Sequence, residues 1–152
     1  MNNSFFGSSS KQFLTVTHDN RVCLFDAETK TEKRSFVEKD HLTHSYTCFD
    51  WLGGKSDKDM FAAGASDNTI IVWDFNKGIV IKTFRCENVP TSIQFSVDQK
   101  LMYIASSENA IAMYDIKTGE KVGAIKNGKK SVMRITCNPK ANIAAIATRY
   151  VL

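Results

Sequence analysis

Three aromatic–aspartate pairs divide this chain into repeating units. They are Phe25-Asp26, Trp73-Asp74 and Tyr114-Asp115, spaced by 48 and 41 residues. Two further landmarks drift with them. A preceding apolar stretch ends at Trp51, Phe95 and Cys137, 44 and 42 residues apart. A lone apolar residue beyond each pair falls at Phe36, Phe84 and Ile125, again 48 and 41 apart. Chance does not readily move three landmarks together. A period of this size restricts the chain to architectures that stack one supersecondary unit on copies of itself.

The unit is made of strands. Thr69-Ile70-Ile71-Val72-Trp73-Asp74 is a β-branched run closed by an aromatic and an acid, the pattern of a strand buried on both faces. Met60 to Ala65 precedes it across Asp67-Asn68, so residues 60–74 read as a hairpin. The same hairpin is expected from Phe13–Thr17 with Arg21–Asp26, and from Leu101–Ala105 with Ala110–Asp115. Thr91 to Ser96 and Ser131 to Cys137 alternate polar and apolar residues as half-buried strands do. Glu32–Val37, Ile79–Phe84 and Glu120–Ile125 read as outer strands, with charges facing solvent at Glu32, Lys33, Arg34, Lys82, Arg85, Glu120 and Lys121. No stretch has a sustained helical period. The expected fold class is all-β.

Four short strands per unit, with Trp-Asp closing the third, resembles the WD-repeat β-propeller. The resemblance covers residues 4–149 and implies a partial propeller of about three and a half four-stranded blades. The first blade is expected at 4–37, the second at 45–85, the third at 91–126 and a partial fourth at 131–152. The structural repeat positions carried over are Asp19, Phe25, Asp26, Asp67, Trp73, Asp74, Tyr114 and Asp115. The polar tetrad of the family is degraded. The first unit offers Thr17 and Asp19 with Phe25. The second offers Asp67 and Trp73, with Ala65 where a hydroxyl is usual and His41 or His44 as the histidine. The third offers Ser106, Glu108 and Tyr114. A chain stopping inside a fourth blade leaves an apolar face open. It is therefore expected to be the N-terminal part of a longer protein or a truncated product, with self-association as the alternative.

Little in the sequence carries chemistry. Cys23, Cys48, Cys86 and Cys137 form no Cys-x-x-Cys pair. Cys23, Cys48 and Cys137 sit in apolar strands and are expected to be buried free thiols, which suits a reducing compartment. His41-Leu42-Thr43-His44 has no third ligand nearby, and no nucleophile, phosphate-loop or zinc-hydrolase motif occurs. Neither an enzyme, a cofactor, a metal site nor a small-molecule substrate is expected. The N-terminus has no basic and apolar leader pattern, and no apolar run reaches the roughly 20 residues of a membrane span.

The 152-residue chain has a formal net charge of +4, but residues 117–140 alone carry +6. Lys126, Lys129, Lys130 and Arg134 in this segment are candidate RNA or partner contacts. Positive charge suffices for a phosphate backbone, and the loop has no aromatic for base stacking. A narrower resemblance lies at Ser35–Leu42 and Thr47-Cys48-Phe49-Asp50-Trp51. This stretch is similar to the junction of the first two blades in a WD-repeat subunit of the small-subunit processome, of its transcription-linked pre-rRNA processing group. Val122 to Thr148 resembles the same subunit, although Asn138-Pro139-Lys140-Ala141 departs from the expected turn. The resemblance implies a nucleolar, nuclear scaffold that binds other protein subunits and pre-rRNA, without a membrane. The alternative is a WD-repeat adaptor in signalling, trafficking or ubiquitin-ligase substrate recognition, nuclear or cytoplasmic. The Trp-Asp-x-Arg box of the last role is absent, since Phe75-Asn76 follows Trp73-Asp74.

Overall fold

The computed structural model describes residues 4–6, 11–39, 43, 45–52, 60–96, 98–106, 110–126, 131–137 and 144–149. These contain fourteen strands: β1 (Ser4–Phe6), β2 (Gln12–Val16), β3 (Val22–Asp26), β4 (Glu32–Phe36), β5 (Tyr46–Leu52), β6 (Met60–Ala65), β7 (Thr69–Asp74), β8 (Ile79–Arg85), β9 (Pro90–Phe95), β10 (Leu101–Ser106), β11 (Ala110–Asp115), β12 (Lys121–Lys126), β13 (Ser131–Cys137) and β14 (Ala144–Arg149). All pairings are antiparallel between strands adjacent in sequence. They give four sheets: β1-β2-β3-β4, β5-β6-β7-β8, β9-β10-β11-β12 and the two-stranded β13-β14. The fold is all-β, a propeller-like stack of meanders. Ser4–Phe6, in a stretch with weak sequence signal, is a strand because Phe5 pairs with Leu14 in a regular ladder.

Successive sheets bury their faces against one another, and period-two alternation sorts the residues. In β7, Ile71 and Trp73 face the first sheet, where they join Leu14, Val22, Leu24 and Phe36. Their neighbours Ile70 and Val72 face the third sheet, against Ile93, Phe95, Met102, Ile104 and Tyr114. A smaller cluster of Ala105, Ile111, Val132 and Ile135 joins the third sheet to the two-stranded one. Both faces of β7 are thus inside, which is why its sequence is a continuous apolar run. Each Å² of apolar area removed from water by this stacking contributes about 25 cal/mol.

The aspartates of the aromatic–aspartate pairs close the same turn three times. Asp26 Oδ1 accepts from the backbone N–H groups of Glu28 and Thr29 at 2.8 and 3.0 Å. Asp74 Oδ1 accepts from Lys77 at 2.8 Å. Asp115 Oδ1 accepts from Lys117 and Thr118, both at 2.8 Å. Four residues on, Lys30, Gly78 and Gly119 hold φ of 57°, 71° and 73°, and each donates its N–H to the aspartate carbonyl. An acid that satisfies turn N–H groups, followed by a left-handed residue, reverses the chain tightly.

Seven residues after each aspartate the outer strand carries a register shift. It leaves Lys33, Ile81 and Val122 without an opposite residue in β3, β7 and β11. Here the sequence expectation needs correction. The outer strands do not uniformly present charge. β8 exposes Ile79, Val80 and Ile81, and β12 exposes Val122 and Ile125. The three outer-strand landmarks share register but not environment. Phe36 is buried against Phe61 and Phe75, Phe84 is half-buried against Tyr114, and Ile125 is exposed. The thiols also redistribute. Cys23, Cys48 and Cys86 are buried, whereas Cys137 is only partly covered, because its strand belongs to a sheet of two strands.

Candidate interaction surfaces

The first strands of successive sheets are stitched side by side. Thr47 Oγ1 on β5 donates to the carbonyl of Pro90 on β9 at 2.6 Å. Thr91 Oγ1 on β9 donates to the carbonyl of Val132 on β13 at 2.9 Å. Beside them, Asp50 Oδ2 accepts from the backbone N–H of Phe95 at 2.8 Å and from Gln94 Nε2 at 2.7 Å. Ser92 Oγ accepts from the N–H of Ile135 at 3.2 Å. Burial pushes the Asp50 carboxyl up to about 6, against the opposing pull of its N–H donors. Burial also pushes the Cys48 thiol up to about 12, which leaves it an unreactive core thiol at neutral pH.

The outer ends of the sheets are joined differently. The Arg34 guanidinium on β4 reaches the second sheet and donates to the carbonyls of Phe75, Asn76 and Lys77 at 3.0, 2.9 and 3.3 Å. A side chain on Gly78 would collide with that guanidinium. Lys82 occupies the same register in β8, and its stem lies against Gly119 of the third sheet. Lys33 folds back onto Asp26 at 2.7 Å, and this bond with the two turn N–H groups holds the Asp26 carboxyl far below the usual carboxylate range.

Of the candidate repeat positions, Trp73 is buried, stacked on Phe61 with centroids 4.7 Å apart and edge-on to Tyr46 at 6.1 Å. Phe25 stacks on Phe13 at 5.5 Å. Tyr114 packs on Phe84. Asp19 accepts from Thr17 and pairs with Arg21, which together lower its pKa. Asp67 accepts from the N–H and hydroxyl of Thr69 at 3.1 and 2.8 Å. These two aspartates therefore serve their own hairpin turns, where Asn20 and Asn68 hold φ of 59° and 69°. His41, His44 and Glu108 lie outside the described residues.

The basic candidates fall on two elements. Lys126 ends β12, opposite Ala110, and is exposed. Arg134 is exposed on β13, opposite Ala147. Lys129 and Lys130 lie in the connection between them, outside the described residues. Lys121, counted in the same basic segment, is paired with Glu87 at 2.7 Å. That pair borders a cavity of about 50 Å³ between the second and third sheets, lined also by Cys86, Ser106 and Tyr114. No group of three metal-ligating side chains gathers among the described residues. Sequence reading missed the row formed by Thr47, Asp50, Thr91, Ser92 and Gln94. The usable signal was the 44-residue spacing of Thr47 from Thr91 and of Asp50 from Gln94.

Residues 36–74 match the family model described as WD domain, G-beta repeat. They run from the end of β4 through β7 and contain Trp73-Asp74. Among relatives, the chain is 32% identical over 74 residues to WD-40 repeat-containing protein MSI4 of Arabidopsis thaliana, covering 49% of this chain and 14% of that protein. It is 27% identical over 66 residues to Protein RBL of Arabidopsis thaliana, covering 41% of this chain and 12% of that protein. The matched stretches thus span a small part of either relative. Residues 36–74 thus resemble one WD repeat, and the antiparallel four-stranded sheets on either side are consistent with a propeller-like fragment.

Proposed function

We propose that this chain is a non-catalytic WD-repeat scaffold that holds protein subunits together during pre-rRNA processing in the nucleolus. The scaffold part rests on one observation. Among the described residues, Asp26, Asp74, Asp115, Thr47 and Asp50 are engaged in turns and inter-sheet bonds rather than gathered into a reactive cluster. What remains outward is surface. The processome part is supported by the resemblance at Ser35–Leu42 and Thr47–Trp51, and the basic segment adds a means of contacting RNA phosphates. Lys126, Lys129, Lys130 and Arg134 are the residues assigned to that contact.

A second reading is a WD-repeat adaptor in signalling, trafficking or ubiquitin-ligase recognition. The name of MSI4, a WD-40 repeat-containing protein, suits an adaptor equally well. Affinity capture of the tagged chain from nuclear extract separates the two. The processome reading expects pre-rRNA-processing proteins in the eluate and nucleolar fluorescence of the tagged chain. Recovery of other partners with none of that class transfers the assignment to the adaptor reading. Lys129→Glu with Lys130→Glu is expected to lower pre-rRNA retention at low salt. Unchanged retention removes RNA from the proposal.

A further inference from the structure

The exposed edge of β8 differs from that of β4, although the two occupy the same place in adjacent sheets. Edge strands are ordinarily blunted by charge, because their unpaired N–H and C=O groups invite another strand. β4 follows the rule with Glu32, Lys33 and Arg34, and its bulged residue Lys33 is tied to Asp26. In β8 the bulged residue is Ile81. Ile79, Val80 and Ile81 are 52, 38 and 45% exposed in succession. The remaining half of the strand holds Lys82 and Arg85 and no acid. Among the described residues neither cation has an ion-pair partner, and Glu87 nearby is taken by Lys121.

We propose that β8 is a docking edge for an extended, acidic–apolar segment of a partner protein. The incoming strand pairs its main chain along Lys82–Arg85, where the ladder to β7 is regular. Its apolar side chains cover Ile79–Ile81, and its carboxylates meet Lys82 and Arg85. Charge decides the occupant. Two copies of β8 paired antiparallel about the strand centre would set Lys82 opposite Lys82, and like charges directly opposite are destabilising. A basic segment meets the same repulsion, whereas an acidic one converts it to attraction. The inference rests on the scaffold reading and specifies one of its surfaces.

The test is fluorescence anisotropy with a fluorescein-labelled peptide of alternating Glu and Val. Binding by the chain is expected, weakened about tenfold or more by Ile81→Glu with Lys82→Glu, with the circular dichroism spectrum unchanged. The same peptide N-methylated at alternate residues, which blocks main-chain pairing, is expected not to bind. An alternating Lys and Val peptide is also expected not to bind. Absence of Glu/Val binding, equal binding to the double variant, or equal binding of the basic or N-methylated peptide overturns the proposal. So does self-association by sedimentation that the double variant abolishes. None of these results touches the scaffold reading, which the affinity capture tests separately with every surface intact.

Discussion

The two main junctions of this molecule reach similar burial by different chemistry. Between the first and second sheets the filling is aromatic: Phe36, Phe49, Phe61 and Trp73, with Trp51 and Phe75 packed beside them. Between the second and third, aliphatic and sulfur-containing side chains predominate: Cys48, Cys86, Ile70, Val72, Ile93, Met102 and Ile104, beside Phe95 and Tyr114. The fastenings differ too. Arg34 clamps the outer side of the first junction through three carbonyls, and its counterpart Lys82 leans on Gly119. The second junction is fastened on its inner side by Thr47 and Asp50. The repeat therefore conserves geometry, while each interface supplies its own cohesion.

The largest expected effect breaks the aromatic junction. Trp73→Ala removes a ring stacked on Phe61 and is expected to cost about 3–5 kcal/mol in urea unfolding. Met102→Ala, in the aliphatic junction, is expected to cost less, at the lower end of about 2–5 kcal/mol. Equal losses would erase the distinction between the junctions.

Gly64→Ala strikes only the second junction. A Cβ there would lie 2.5 Å from the Pro90 ring and 3.0 Å from Cys48 Sγ. Overpacking of this kind costs about 1–3 kcal/mol, seen as a lower midpoint in urea. The analogous position in the first sheet already carries a branched side chain, Val16.

The legibility of the molecule in its sequence follows the same division. β7 was readable to the residue because burial on both faces leaves an unbroken apolar run. The three turns were readable because Asp26, Asp74 and Asp115 perform one task, each four residues before a left-handed residue. Asp50 was not, since a single acid between Phe49 and Trp51 looks like any polar residue of an alternating strand. Its role depends on Phe95 N–H and Gln94 arriving from 44 or more residues away. The exposure of Ile81 was hidden for a related reason. An apolar residue in a strand reads as buried, and the bulge that turns it outward has no local signature beyond its distance from Asp74. Lys129 and Lys130 were visible as charge alone, and charge specifies no geometry.

Asp50 gives the second junction a pH dependence in the mildly acidic range. Its folded pKa of about 6 lies above the ordinary value of 3.8, so the folded state binds the extra proton between those pH values. Its contribution to stability accordingly falls as pH rises through about 4 to 6 and is recovered on acidification. Asp50→Asn keeps an acceptor for Phe95 N–H and is expected to flatten that part of the stability–pH curve. Urea midpoints between pH 4 and 7 check this, and a slope unchanged by the substitution assigns the dependence elsewhere.

Arg34→Ala is the smallest of these changes. It opens three exposed bonds to backbone carbonyls and is expected to cost about 1 kcal/mol. Lys82→Ala removes only a stem resting on Gly119 and is expected to fall within about 0.5 kcal/mol of the parent.

Amide hydrogen exchange resolved along the second sheet tests the central claim most directly. β7 is enclosed by two neighbouring sheets, while β8 is an open edge. Ile70, Ile71 and Val72 are expected to exchange only with global unfolding, and the β8 amides outside the β7 ladder are expected to exchange orders of magnitude faster. Exchange in β7 as rapid as in β8 would contradict the stacked, repeat-built architecture on which the scaffold reading rests.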